Sequence, residues 1–317
     1  MCATDAFERC PLKVDKAKCF IFPILPHHIE MLRTQIMDFN KFAGTPSEVE
    51  SKNYGPLMNS FYMLEPEYAD HYHKAMGRAW NVGPISQCNK EVTNKSTRGG
   101  EYRAFVNKCL KWIDKRPTGS VVYMCFGSGS LFSMEQLREI ALGIEESRLP
   151  FVWVVRNECD DWIPKGYRER IKEVGMVIRG WALQLVILNH DAIGGFVTHC
   201  GWNSSLEGIS AGLPMVTWPL YADQFYNEKH LIDILKVGIM VGSKVNTFNI
   251  EMRPIVEAKA LETAVRRLMG DGMEANKSRR GAKQLGEMAK RAVDKGGSSY
   301  EGIKNLINEL IDQKKHV

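Results

Sequence analysis

Residues Trp181–Gln224 read WALQLVILNHDAIGGFVTHCGWNSSLEGISAGLPMVTWPLYADQ, and this stretch decides the fold predicted for the chain. Short apolar runs alternate in it with polar residues, which predicts strands at Gly195–His199 and Met215–Trp218 and a helix between them at Asn203–Ala211. Strand–helix–strand alternation indicates a parallel sheet with helices on both faces. Open sheets of this kind bind ligands at the carboxyl ends of their strands, which is where the polar residues of the stretch lie.

The same alternation extends on both sides of this stretch. Ser120–Ser128 (SVVYMCFGS) is a continuous apolar run closed by Gly127, as expected of a buried parallel strand that enters a loop. Ser133 stands three residues before Gln136, which predicts a capping box at the start of a helix. The further predicted elements are strands at Phe151–Val155, Met176–Arg179 and Gly238–Val241, and helices at Met134–Ser147, Leu183–Leu188, Asp223–Lys236, Ile255–Met269, Ala275–Asp294 and Ser299–Asp312.

Residues 1–87 have weaker periodicity, and the polar stretch Ser86–Gly100 (SQCNKEVTNKSTRGG) indicates a linker after them. The elements predicted around this linker are strands at Phe20–Leu25 and Leu57–Leu64 and helices at Glu65–Met76 and Glu101–Asp114. A length of 317 residues predicts about two domains.

Composition excludes several classes of protein. The apolar fraction of 44% and the charged fraction of 25% are those of a globular domain, and the net charge of +5 is spread along the chain, which argues against nucleic-acid binding. The eight cysteines form no CxxC pair, so neither a disulfide framework nor a zinc site is expected. No apolar run approaches the roughly 20 residues of a membrane span, and the N-terminus has no signal-peptide pattern. We therefore expect a cytoplasmic protein.

The strand at Gly195–His199 runs into a helix whose first residues could bind an anion. A helix N-terminus offers N–H groups and a partial positive charge. Gly201 would let the backbone approach a phosphate closely, and His199 could donate a hydrogen bond to it. The alternative for Asn203 and Ser204 is that one of them is only the helix N-cap.

Other strand ends carry further candidates. Ser128 ends the apolar run Ser120–Ser128. Trp181 follows the predicted strand Met176–Arg179, where it could stack on a base; the alternative is that Trp181 is a core tryptophan. Gln184 could reach a base or ribose edge. Glu207 could accept both ribose hydroxyls, or it could be an exposed helix carboxylate.

An acid and an amide stand side by side after the predicted strand Met215–Trp218. Asp223 and Gln224 are suited to the vicinal hydroxyls of a sugar, and their alternative is a helix N-cap and its neighbour.

As an ordered set, these residues resemble the signature box of plant secondary-product UDP-dependent glycosyltransferases of family 1. The matching residues are Trp181, Ala182, Gln184, His190, Thr198, His199, Cys200, Gly201, Trp202, Asn203, Ser204, Glu207, Gly212, Pro214, Trp218, Pro219, Asp223 and Gln224. The resemblance covers nearly the whole chain. CLKW at Cys109–Trp112, FVWVVR at Phe151–Arg156 and FYNEK at Phe225–Lys229 share it, and Asn59–Tyr72 resembles the subgroup that glycosylates triterpenoids and flavonoids.

The resemblance implies an α/β fold of the GT-B type. It implies a Rossmann-like C-terminal domain with a parallel sheet at 118–296, and an incomplete, N-terminally truncated Rossmann-like acceptor-binding domain at 1–87. A linker and helix at 88–117 would join them, and a C-terminal helix at 297–317 would pack back toward the N-terminal part.

The resemblance also implies roles for residues of a donor site. Trp181 would stack on uracil and the Ala182 backbone would pair with it, while Gln184 and Glu207 would hold the ribose. The diphosphate would lie against Ser128, His199, Gly201, Asn203 and Ser204, with the Trp202 backbone close to the sugar, and Asp223 and Gln224 would bind the sugar hydroxyls. Gln224 favours glucose, His190 is expected to be structural, and no metal or cofactor is implied, since UDP-glucose is a donor substrate.

Two departures from the family pattern stand out. Leu183 occupies the position of a proline, so the uracil-binding turn loses a residue that fixes φ. No FPxxxxGH-like turn occurs, so the general-base His of the family and the Asp that orients it appear in no matching position, and no catalytic residue is assigned. His27 and His28 form a pair in the N-terminal part, but nothing favours either as a replacement base.

The predicted function is inverting transfer of glucose from UDP-glucose to a hydroxyl of a small lipophilic plant metabolite, a triterpenoid or a flavonoid, by a monomer. The alternative is a UDP-sugar-binding pseudoenzyme or regulatory partner that lacks the catalytic pair. A nicotinamide-dependent enzyme is disfavoured, because no GxGxxG follows a strand near an acidic ribose-binding residue.

Overall fold

The computed structural model describes residues 19–22, 25–36, 54–88, 108–157 and 159–315. The chain divides into two compact units. Unit one comprises Met1–Asn89 and Leu285–Val317, and unit two comprises Lys90–Gln284. The domain boundaries predicted at residues 87, 117 and 296 stay a prediction.

Unit two contains a six-stranded sheet made of β5 (Val121–Cys125), β6 (Phe151–Val155), β7 (Gly175–Arg179), β8 (Ile193–Thr198), β9 (Met215–Thr217) and β10 (Gly238–Met240). The sheet is wholly parallel, and its strand order is β10-β9-β8-β5-β6-β7. Every residue of β5 and β6 is buried, because both faces of these central strands are covered, and this accounts for their continuous apolar sequences. All six strands predicted for this part of the chain are confirmed.

Helices surround this sheet, and the predicted helix Met134–Ser147 is confirmed with the same bounds. The helices of unit two are α3 (Met134–Ser147), α4 (Tyr167–Ile171), α5 (Gln184–Leu188), α6 (Trp202–Ser210), α7 (Gln224–Lys229) and α8 (Ala258–Met269), and α9 (Met273–Val293) begins in it. The Ser133 hydroxyl caps α3 by accepting from the Gln136 N–H at 3.1 Å. The reciprocal half of the capping box is absent, because the Gln136 side chain instead bonds both backbone groups of Val256 at 2.8 Å.

Several predicted helix ends needed correction. The helix predicted at Asn203–Ala211 begins one residue earlier, and the one predicted at Asp223–Lys236 ends as an α-helix at Lys229 and continues as a π-helix over His230–Ile234. Residues 108–113 are helical, while residues 101–107 of the helix predicted at Glu101–Asp114 lie outside the described residues. Most of the predicted linker lies outside them too.

Unit one contains two short strand pairs and the C-terminal helix. Strands β1 (Cys19–Ile21) and β2 (Glu30–Leu32) are antiparallel, and β3 (Leu57–Met58) and β4 (Trp80–Asn81) are parallel. The helices of this unit are α1 (Pro66–Met76), α2 (Ile85–Cys88) and α10 (Ser298–Lys315).

The strand predicted at Leu57–Leu64 is wrong beyond Met58. The Ser60 N–H folds back onto the Met58 carbonyl at 2.8 Å, and Tyr62–Leu64 forms a 3-10 turn. The backbone therefore turns away from the sheet direction before the apolar run ends. The strand predicted at Phe20–Leu25 is shorter and ends at Ile21.

No helix within the described ranges is both long enough and apolar enough to cross a bilayer.

Candidate functional site

The candidate site lies at the carboxyl ends of β5 and β8, in the middle of the sheet of unit two. From β5 the chain adds β6 and β7 on one side, and β8, β9 and β10 then occupy the other side. The strand order therefore reverses between β5 and β8, which opens a crevice above their carboxyl ends. The turns after these two strands carry Ser128 and His199.

Two glycines enclose the His199 ring. A Cβ atom added to Gly127 would lie 2.6 Å from the His199 ring, and one added to Gly201 would lie 2.4 Å from its Nε2. Gly127 also has φ +77°, which favours glycine. Burial lowers the pKa of His199 to about 4, so the imidazole is neutral at pH 7 and donates from one nitrogen. Its Nδ1 is buried and has no hydrogen-bond partner.

Helix α6 begins directly after this histidine. Its N-cap is Gly201, which has no side chain to bond the first N–H groups. The alternative that Asn203 or Ser204 is the N-cap is wrong, because both lie inside the first turn. Asn203 is exposed and Ser204 is buried.

Gln184, Ser204 and Glu207 form one hydrogen-bonded group. The Gln184 Nε2 donates to the Glu207 carboxylate at 2.7 Å and to the Ser204 hydroxyl at 3.3 Å. The Tyr123 hydroxyl, from the middle of β5, donates to the Gln184 Oε1 at 3.4 Å. Glu207 is half-buried, and desolvation raises its pKa, while the bond from Gln184 opposes that shift. The alternative of an exposed helix carboxylate is therefore not what the structure has.

Trp181 is not a core residue, since 59% of it is exposed. The guanidinium carbon of Arg156 lies 4.8 Å from the centroid of its ring. Arg156 follows β6 and Trp181 follows the neighbouring β7, so the pair joins two adjacent strand ends. Arg156 was not among the residues predicted for the site, because no pattern in the sequence shows that positions 156 and 181 meet. Ala182, next to Trp181, is half-buried.

Asp223 and Gln224 differ in their surroundings although they are neighbours. Asp223 is exposed at the N-cap of α7, makes no side-chain cap bond, and accepts from the Asn227 amide at 3.0 Å. Gln224 is only 3% exposed, and its Oε1 accepts from the N–H groups of Leu220 and Tyr221 at 2.9 and 3.0 Å. The carbonyl end of Gln224 thus holds the preceding turn.

The other predicted residues are not part of the hydrogen-bonded group of Gln184, Ser204 and Glu207. Ser128 is exposed, and Trp202 is half-buried with its ring centroid 6.3 Å from that of His230. His190 holds the chain, since its Nε2 lies 2.9 Å from the Asp114 carboxylate and its Nδ1 accepts from the Ala192 N–H. Among the described residues, no three His, Cys, Asp or Glu side chains come close enough together to hold a metal ion.

His27 and His28, the histidine pair of unit one, contact side chains of their own unit. The His27 ring stacks on Tyr68 with centroids 5.4 Å apart, and the His28 Nε2 lies 2.9 Å from the Glu30 carboxylate.

A parallel sheet with a helix N-terminus, a carboxylate group and an exposed aromatic ring around its crevice defines a nucleotide-binding α/β protein. The chain belongs to the UDP-glucoronosyl and UDP-glucosyl transferase family, whose model matches residues 105–276.

Similar curated proteins come from several plants. The chain is 45% identical over 306 residues to "Scopoletin glucosyltransferase" of Nicotiana tabacum, covering 93% of this chain and 64% of that protein. It is also 45% identical over 313 residues to "UDP-glucose flavonoid 3-O-glucosyltransferase 7" of Fragaria ananassa, again with 93% and 64% covered. The chain thus spans just under two thirds of the length of these relatives.

Solved structures of plant glycosyltransferases share its fold. Glycyrrhiza uralensis UGT73P12, complexed with glycyrrhetinic acid 3-O-monoglucuronide, has a TM-score of 0.89 and 38% identity, with 99% of this chain and 67% of that chain covered. Medicago truncatula UGT71G1, complexed with UDP-glucose, has a TM-score of 0.79 and 29% identity, with 95% and 65% covered. These neighbours confirm the GT-B type of α/β fold.

Proposed function

We propose that the chain binds UDP-glucose at the carboxyl ends of β5 and β8 and belongs to an enzyme that transfers the glucose, with inversion, to a hydroxyl of a small lipophilic plant metabolite. The observation that carries the proposal is the hydrogen-bonded group of Gln184, Ser204 and Glu207 beside the His199 turn. This group offers a carboxylate for ribose hydroxyls less than two helical turns from a helix N-terminus suited to phosphate.

The leaving diphosphate would be stabilised by neutral hydrogen-bond donors. Burial keeps the His199 imidazole neutral at pH 7, so it acts as a donor to an oxyanion without adding a buried charge. The N-terminus of α6 adds N–H groups and the positive end of the helix dipole. These groups serve the departing UDP whichever acceptor is used, and no metal or cofactor is invoked.

The nucleoside and the sugar would lie on opposite sides of the diphosphate. The exposed face of Trp181 suits a uracil ring, with the Ala182 backbone beside it. The exposed Asp223 and the amide of Gln224 suit sugar hydroxyls, and Gln224 is the basis for preferring glucose. Ser128 and the Trp202 backbone complete the proposed donor site.

The acceptor class rests on the relatives. One relative is a scopoletin glucosyltransferase, another is a flavonoid 3-O-glucosyltransferase, and one structural neighbour is complexed with glycyrrhetinic acid 3-O-monoglucuronide. Phenolic and triterpenoid hydroxyls are therefore the acceptors to test first. Cytoplasmic localisation and a monomeric state remain parts of the proposal.

Two measurements on the purified chain test the proposal. Calorimetry should detect UDP-glucose binding that the Glu207→Ala variant loses, and UDP-galactose should bind more weakly. A transfer assay with scopoletin, a flavonol and a triterpenoid should then yield glucosides. Failure to bind UDP-glucose would refute the donor site.

Binding without product would favour the alternative, a UDP-sugar-binding partner that carries out no transfer. Adding UDP-glucose and acceptor together separates the two functions, since only the enzyme releases UDP in proportion to the glucoside formed.

A further inference from the structure

One side chain connects the turn after β8 to the start of α7. Asn227 lies one helical turn after Asp223. Its Nδ2 donates to the Cys200 carbonyl at 2.8 Å and to the Asp223 Oδ2 at 3.0 Å. An amide nitrogen carries two hydrogens, so this geometry engages both of them.

The Cys200 side of this connection is a strained turn. Cys200 has φ +63°, a left-handed conformation that a residue with a Cβ adopts only when its surroundings fix it. The residue is fully buried, and its N–H donates to the Thr198 hydroxyl at 3.3 Å. Thr198 therefore holds the N–H of Cys200 and Asn227 holds its carbonyl. Gly201, the N-cap of α6, and the first turn of that helix follow this turn directly.

The Asp223 side is an exposed carboxylate. It makes no cap bond to its own helix, and the bond from Asn227 fixes the direction of one of its oxygens. The second oxygen, Oδ1, can then accept from a ligand.

We propose that Asn227 is a positioning residue that couples the diphosphate-binding turn to the sugar-binding carboxylate. The inference rests on the proposed function, because the sugar nucleotide as ligand is part of that function. In this role Asn227 acts through its contacts with Cys200 and Asp223 and not as a ligand-binding residue itself. UDP depends on the first contact alone, whereas UDP-glucose depends on both.

The test compares two ligands on the full chain by calorimetry. Asn227→Ala should weaken UDP binding about threefold, because UDP depends only on the hydrogen bond to Cys200. It should weaken UDP-glucose binding about tenfold, because UDP-glucose depends on the hydrogen bonds to both Cys200 and Asp223. In an Asp223→Ala background, the same change should weaken both ligands by one common factor. The matched control is Asn276→Ala, which removes an amide that donates to the Asp271 carbonyl at 2.8 Å outside the site, and it should alter neither affinity.

A ligand-free readout separates this inference from the proposed function. Hydrogen exchange at residues 198–204 should be faster in Asn227→Ala and in Asn227→Asp, which keeps the shape of the side chain but loses its donors. Unchanged exchange, or equal factors for UDP and UDP-glucose in Asn227→Ala, would overturn the coupling. If exchange accelerates while the unaltered chain binds neither ligand, the Cys200 contact stands, and the sugar-nucleotide role falls together with the proposed function.

Discussion

Trp181 is the residue whose exposure bears most directly on the proposed donor site. Because stacking of a base on an aromatic ring contributes about 1–3 kcal/mol, Trp181→Ala should weaken UDP and UDP-glucose by a common factor of about ten or more. Trp181→Phe should retain most of the affinity. Calorimetry with both ligands measures the two factors.

Trp112 provides the matched control for this prediction. Its ring is also covered by an arginine, with the Arg116 guanidinium carbon 4.2 Å from the centroid, but it lies on the helical segment 108–113. Trp112→Ala should leave nucleotide affinity unchanged. An equal loss in both variants would mean that Trp181 acts through general stability and not by stacking.

His199 should make stability depend on pH. Its pKa is lowered to about 4 by burial, so the stability it contributes is fully present above pH 6.5 and is lost as pH falls toward 4. The shift corresponds to about 3 kcal/mol at most. His199→Asn should therefore lose less unfolding free energy than the unaltered chain between pH 7 and pH 4.5. Urea unfolding at several pH values measures this difference, and parallel pH profiles for the two proteins would contradict it.

The candidate site was predictable as a set of residues but not as a set of contacts. Their positions near the ends of predicted strands, together with the resemblance to the glycosyltransferase signature box, implied that Gln184, Ser204 and Glu207 belong to one site. The sequence could not show that Gln184 bonds both others, because that depends on the register between different strands and helices. Asn227 could have been found, since it stands four residues after Asp223 on a predicted helix, where side chains meet. Arg156 gave no such local signal.

At the scale of elements, Leu183 stands where the family pattern has a proline, and the structure makes the effect of this difference testable. Leu183 is the N-cap of α5 with φ −76°, which a proline ring tolerates. Its carbonyl, which proline retains, accepts from the Val186 and Ile187 N–H groups. Leu183→Pro should therefore preorganise the turn beside Trp181 and tighten UDP binding by up to about fivefold, a gain of about 1 kcal/mol. Calorimetry measures the change, and weaker binding would show that the leucine side chain itself is needed there.

The buried carboxyl group of Glu228 links α7 to β9, and its effect on stability changes with pH in the opposite direction to that of His199. Burial raises the pKa of Glu228 to about 7, although the Thr217 hydroxyl donates to it at 2.6 Å. A raised pKa means that its stability contribution is present below pH 4.5 and is lost as pH rises through 7. Glu228→Gln should therefore be more stable than the unaltered chain at pH 8, by about 1–3 kcal/mol, and similar to it at pH 4.

Urea unfolding at pH 4 and pH 8 checks this prediction. The control is Glu173→Gln, which changes an exposed carboxylate of the same unit and should give the same small difference at both pH values. A destabilised Glu228→Gln variant at pH 8 would show that the charged form of Glu228 is required.

Strands of unit two were predictable because their sequences are continuous apolar runs that end in glycine or polar residues. The same rule failed at Leu57–Leu64, where Ser60 turns the backbone after Met58. The predicted ends of helices were wrong for a different reason. The start of α6 is set by Gly201 at the N-cap, and the change to a π-helix after Lys229 depends on tertiary packing that no local pattern encodes.

At the scale of the whole molecule, the two compact units predict separate responses to a local defect. In unit one, α10 approaches β4 so closely that a Cβ on Gly302 would lie 2.8 Å from the Asn81 carbonyl oxygen. Gly302→Ala should therefore cost about 1–3 kcal/mol of stability in that unit. Hydrogen exchange should accelerate at residues 57–82 and 298–315 and stay unchanged at residues 121–269, because cooperative units open independently.

The control for this last prediction is Gly272→Ala, whose added Cβ would meet no atom within 4 Å. It should leave exchange unchanged in both units, so any effect of Gly302→Ala can be assigned to the close approach of α10 and β4. Equal acceleration at residues 121–269 would show that the chain opens as one cooperative body. The nucleotide site would then depend on packing in unit one, and nucleotide affinity would fall in Gly302→Ala although none of its proposed ligand-binding residues had changed.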